Sequence, residues 1–108
     1  MEVRFYKDRK GTVYGFQVSG HSEFAPDGND ILCSAVSALT ITAVNAIETF
    51  TKDPVDTEAM NEEEGFLHFT LKKVSKESKL LLDALMLGLK DIEKSYERYL
   101  SVIVEEAT

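Results

Sequence analysis

Val3 and Phe5, then Val13, Phe16 and Val18, form two short stretches of β-prone, alternating character on either side of Asp8-Arg9-Lys10-Gly11. That pattern predicts a β-hairpin with Gly11 supplying the turn. Ser19 to Asp30 carries two Gly, one Pro, two Asp and one Asn, a composition that predicts a loop. From Ile31 the pattern changes. Ile31, Leu32, Ala35, Val36, Ala38, Leu39, Val44, Ala46 and Ile47 leave almost no polar face, as expected of a helix packed on several sides. Asp30 stands where an N-cap belongs, and Pro54 disfavours helical geometry at Asp53, so the helix is expected to end near Thr51.

Asp53 to Gly65 has six acidic residues and no basic one, and reads as a solvated connection. Phe66 to Leu71 alternates as a strand, with Leu67, Phe69 and Leu71 on one side and Phe66, His68 and Thr70 on the other. Ser75 followed by Glu77 predicts the capped start of a second helix, whose stripe runs through Leu81, Leu85, Gly88, Ile92, Tyr96 and Tyr99. Leu100 to Val104 reads as a final strand. The predicted order is β-β-α-β-α-β, an α+β fold with two helices packed on a mainly antiparallel four-stranded sheet.

Composition narrows the function. With 108 residues, 44% apolar and 29% charged, the chain is expected to form a single domain spanning 1–108. A domain this small has a modest margin of stability, which oligomerisation would improve. A net charge of −7 argues against broad nucleic-acid binding and suits a basic protein partner. One cysteine allows no intramolecular disulfide, so a reducing cytoplasm is the expected location. No signal peptide or membrane span is expected. The longest apolar run, Ile31 to Phe50, is broken by Ser, Thr and Asn and reads as a buried helix.

The candidate chemistry lies in Gly20-His21 and in Cys33. On the predicted boundaries Cys33 falls in the first turn of the helix, where unpaired N–H groups and the dipole favour a thiolate. His21 ends a strand twelve positions earlier, with only a loop between, and an imidazole beside the sulfur would lower its pKa and serve as a general acid. Asp30 either opposes the thiolate, caps the helix or orients His21. The plainer readings are that Cys33 is a small buried hydrophobe and His21 incidental. Metal binding through His21, Cys33 and His68 is a weaker reading, because the set has one sulfur and no short paired-ligand spacing. No metal or cofactor is expected.

Gly20-His21, a glycine-bearing loop, and Asp30-Ile31-Leu32-Cys33-Ser34-Ala35-Val36-Ser37-Ala38-Leu39 resemble the signature of the ribosomal-processing cysteine proteases, the Prp family. Val44-Asn45-Ala46-Ile47 resembles the continuation of the same helix. The resemblance implies that Cys33 is the nucleophile and His21 the general base and acid, with Gly20, Asp30 and Ser37 in supporting or substrate-binding roles. It implies a compact α+β homodimer that removes an N-terminal extension, ending in an apolar and aromatic stretch, from the large-subunit ribosomal protein that is twenty-seventh by name. It also implies that the loop from Ser22 to Asn29 covers or opens the site. Two departures are Ser22, where many members have Ala, and Pro26-Asp27-Gly28, which gives the loop its own turn chemistry. A non-catalytic, ribosome-associated or scaffolding homodimer is the alternative from another class.

Overall fold

The computed structural model of the chain describes residues 1–20, 26–56, 61–63 and 66–107, with the side chains at 26–30 and 61–63 outside that description. The hairpin forms as expected: β1 (Glu2–Lys7) pairs antiparallel with β2 (Val13–Ser19). In the turn between them, Gly11 sits at φ 83°, where L side chains are strained, and the Asp8 carboxylate accepts from the Lys10 and Thr12 N–H groups at 2.8 and 3.0 Å. After helix α1 (Pro26–Phe50) come the short β3 (Asn61–Glu63) and then β4 (Phe66–Thr70). Helix α2 (Lys76–Ser95) and β5 (Ser101–Glu106) complete the order.

The sheet runs β3-β4-β2-β1-β5, antiparallel throughout except for the parallel pair β1–β5. The α+β class and the four expected strands are all present. β3 is an addition: it lies inside the acidic segment expected to be a solvated connection, and it lengthens the sheet by pairing with β4. Its sequence, Asn-Glu-Glu, carries none of the β-branched or aromatic residues by which a strand is recognised, so only the neighbouring edge of β4 reveals it.

Rows of side chains cross the sheet in register and define its inner face. Phe5, Phe16 and Phe69 stand opposite one another on β1, β2 and β4, with ring centroids 5.9 and 5.7 Å apart. Val3, Val18 and Leu67 form the next row. Both helices contribute to the same core, α1 through Leu32, Val36, Val44 and Ile47 and α2 through Leu82, Leu85 and Leu89. Strand alternation places Arg4, Tyr6, Gln17 and His68 on the opposite face, half-buried.

Helix α2 begins as predicted, with the Ser75 hydroxyl accepting from the Ser78 N–H at 3.2 Å. Its buried line is displaced from the expected stripe. Ser78, Leu82, Leu85 and Leu89 face the core, while Leu81, Gly88 and Ile92 lie half-buried along its flank. The expected Leu81, Leu85, Ile92, Tyr96 and Tyr99 do pack in or against the core, but the run Leu80-Leu81-Leu82 fits more than one helical phase, and periodicity alone left out Leu82 and Leu89 at its centre.

Two expectations for α1 are corrected. The helix opens at Pro26, so Asp30 is its fifth residue and not its N-cap. Pro26-Asp27 is itself a helix-start signal, since proline at the first position lacks only an N–H that would be unpaired there, and an acid in the first turn complements the dipole. Nor is α1 packed on all sides. Ile31 is 63% exposed, Ile41 44% and Phe50 76%. Ile31–Phe50 is also long and apolar enough by length and composition to cross a membrane, contrary to expectation, although one side of it is built into the core of this fold. An uncharged composition shows that a helix avoids water, but not how many neighbours it has.

Candidate active site

Leu32 and Val36, both 1% exposed, fix the start of the visible core contact of α1. Their neighbour Cys33 is consequently turned to the rim of the helix, half-buried, neither locked in the core nor standing free in water. At spacings of three and four, positions 30, 33 and 37 fall along one stripe of α1, and Ser37 on that stripe is exposed. The helix thus brings the positions of Asp30, Cys33 and Ser37 into one line. Because α1 starts at Pro26, Cys33 is its eighth residue, about two turns in. Its own N–H belongs to the helical hydrogen-bond ladder, and the dipole effect falls off within the first turn. The expected activation of the thiol by the helix terminus is therefore withdrawn. A helix that begins five residues earlier than read, at Pro26 instead of Ile31, is enough to remove it.

β2 delivers the chain to the second candidate. Gly20 follows the last residue of β2 with φ at 80°, a left-handed conformation that glycine adopts without strain and that sends the chain off the sheet. Among the described residues a side chain there would meet nothing nearer than the Met1 Cα at 3.7 Å, so the requirement there is one of backbone shape rather than space. The Gly-His pair thus has a physical content not evident in its spelling. His21 and the loop around Phe24 lie outside the described residues.

His68 is placed on the wrong side for Cys33. It projects from the middle of β4 between the core residues Leu67 and Phe69, on the sheet face away from the helices. There its ring lies 5.7 Å from Tyr6 and 6.5 Å from Phe66. Cys33 is carried by a helix on the other face, so the metal set of His21, Cys33 and His68 does not assemble. Among the described residues no cluster of three metal-ligating side chains exists.

A model of the cysteine protease Prp family matches residues 1–101. The chain belongs to the Prp family of cysteine proteases. Among its relatives, the ribosomal processing cysteine protease Prp of Bacillus subtilis is 27% identical over 96 residues, covering 83% of this chain and 84% of that one. The protein of the same description from Staphylococcus aureus is 30% identical over 90 residues, covering 81% and 82%. The crystal structure of S. aureus Prp with a covalently linked product peptide superposes with a TM-score of 0.84 at 25% identity, covering 96% of this chain and 98% of that one. The same S. aureus protease with a substrate peptide gives a TM-score of 0.80 over the same shares. The Prp chain is an enzyme, a cysteine protease of ribosomal processing, and the reading as a non-catalytic scaffold is set aside.

Proposed function

We propose that Cys33 is the nucleophile of this protease and His21 its general base and acid, and that the reaction removes the N-terminal extension of the large-subunit ribosomal protein that is twenty-seventh by name. One observation carries the first assignment: the family works through a cysteine, and this chain has a single one. The second follows by position. The chain has two histidines, and His68 is held on the far face of the sheet against Tyr6, which leaves His21 at the end of the segment that Gly20 turns off β2.

In this reading the Cys33 thiolate attacks the scissile carbonyl and forms a tetrahedral oxyanion, which collapses to an acyl-enzyme as the amine leaves with a proton from His21. Water, deprotonated by His21, then releases the product. S. aureus Prp has been captured with a covalently linked product peptide, which supports a covalent route. With Cys33 two turns inside α1, the imidazole carries the activation that the helix terminus does not. Gly20, Asp30 and Ser37 keep supporting or substrate-binding roles in this reading, positions 30 and 37 falling on the stripe of α1 that carries Cys33. The substrate is a basic protein, which an acidic enzyme attracts over a distance that salt shortens. The reading includes a cytoplasmic location and a homodimer. The dimer is supported by the exposed large apolar side chains Ile31, Leu39, Ile41 and Phe50 of α1 and Leu80 and Leu87 of α2, which a second copy would cover.

The test is incubation with the N-terminally extended ribosomal protein of the same organism, followed by mass measurement of the products. Wild type is expected to remove the extension, Cys33→Ala to leave it intact, and His21→Ala to lower turnover by about 10²-fold or more. Cleavage by Cys33→Ala would overturn the assignment of the nucleophile.

A further inference from the structure

The twelve basic residues are unevenly spread along a chain whose net charge is −7. The β1–β2 turn, the end of β4 and the start of α2 meet at one end of the molecule, where Leu71 N–H donates to Tyr14 C=O and Lys72 N–H to Pro54 C=O. Lys7, Arg9, Lys10, Lys72, Lys73 and Lys76 all belong to these segments, half of the twelve basic residues of the chain. Through Pro54 and Asp53 this end adjoins the C-terminus of α1, where the rise of the helix puts Phe50 about 25 Å from Cys33.

A cavity of about 430 Å³ opens there, lined by Lys10, Lys72 and Lys73 together with Asp8, Thr12 and Tyr14. Two lysines farther along α2 have partners: Lys79 pairs with Asp83 at 2.7 Å and Lys94 with Asp91 at 3.5 Å. Among the described residues, none of the three cavity lysines has a carboxylate within ion-pair distance. Two nearby acids are held in hydrogen bonds of their own, although the charge of Lys73 also acts on Asp53. The Asp8 carboxylate holds its own turn, and Asp53 accepts from the Ser75 N–H at 2.8 Å and O–H at 2.6 Å.

Tyr14 supplies an independent observation. β1 and β2 shift register between Tyr6 and Lys7, which leaves Tyr14 as an extra residue on β2. Its ring stacks on Tyr6 with centroids 6.0 Å apart and planes at 28°, and Tyr6 in turn lies 5.7 Å from His68. The cavity thus runs into an aromatic strip on the sheet face that neither helix covers. Lysines beside stacked aromatics on an open sheet are the arrangement by which single-stranded nucleic acids are held, the charges gripping phosphates and the rings receiving bases.

We propose that the Lys10–Lys72–Lys73 cavity and the Tyr14–Tyr6–His68 strip form a binding site for single-stranded RNA, separate from the protease site. The expectation that this chain avoids nucleic acid rests on its average charge, which does not describe this end. The proposal deepens the ribosomal-processing reading, since it would dock the enzyme on RNA beside a ribosomal protein.

The experiment measures fluorescence anisotropy of a labelled short oligouridine with the full chain at several salt concentrations. Wild type is expected to bind at low salt. The triple variant Lys10→Gln, Lys72→Gln, Lys73→Gln should bind at least about tenfold more weakly, with a salt slope shallower by about 2, as for three lost phosphate contacts. Tyr14→Ala should weaken binding with the slope unchanged. Circular dichroism and cleavage of the extended ribosomal protein are measured on every variant, and both are expected to match wild type, which separates this inference from the protease assignment. No binding by wild type at low salt, or equal binding by the triple variant, would overturn it.

Discussion

Asp53 carries more structural responsibility than its place in an acidic linker suggests. Burial acts to raise its pKa, but the hydrogen bonds from Ser75 and the charge of Lys73 outweigh burial and hold the carboxyl below its ordinary value. A group acidified by folding stabilises the fold above its unfolded-chain pKa and loses that contribution as pH falls through the lower folded value. Asp53→Asn should therefore cost about 1 to 2 kcal/mol at neutral pH. Urea unfolding of both proteins across the acid range should show the gap closing as pH falls. Gly20 is a second single-residue test. An alanine at φ 80° costs about 1 kcal/mol and bends the approach to position 21, so Gly20→Ala should lower cleavage more than its small loss of stability explains. Denaturation and product mass measured on one preparation would check both. The sequence made the Ser75 cap legible because it combines a residue type with a local boundary. It could not show the hydrogen bonds of Asp53, whose partner lies 22 positions away.

The strands and α2 follow from alternation and capping, and the sequence shows them closely. α1 is less well read at its start, since Pro26-Asp27-Gly28 spells a turn as readily as a first helical turn, and that ambiguity changed the chemistry inferred for Cys33. Its burial was misjudged for another reason: the sequence records the apolar side chains of α1 without recording whether this chain or another covers them. Leu39 and Ala38 face Leu81 and Ala84 of α2 across a shallow groove, whereas Ile41 and Phe50 reach further into solvent. If a second copy covers this side, Ile41→Glu should convert the dimer to a monomer without loss of helix content. Sedimentation equilibrium and circular dichroism would show it, and a protein that remains dimeric would exclude this face.

In the whole molecule, α1 sets the dimensions. Its 25 residues span about 37 Å, close to the longest extent of 38 Å. Cys33 lies near one end of this rigid element and the lysine cavity by the other, so occupancy of one need not disturb the other. The attraction proposed between this acidic enzyme and a basic substrate belongs to this scale too. Cleavage at limiting substrate should slow as ionic strength rises, with turnover at saturation unchanged, because screening acts on encounter rather than on bond breaking. Rates at two substrate concentrations across a salt series would test that.

The parallel pairing of β1 with β5 has a mechanical consequence. Glu2 lies beside Ser101 and Lys7 beside Glu106, so residues 1 and 107 stand at opposite ends of two adjacent strands. Force applied through those two positions does not peel the strands apart one hydrogen bond at a time. It loads the whole β1–β5 ladder in shear, and the bonds must give way together. The same sheet pulled from the β1–β2 turn and β5 would open like a zipper. The protein should thus resist tension along one axis and yield readily along another, which optical-tweezer unfolding from the two pairs of attachment points would reveal as a high and a low rupture force.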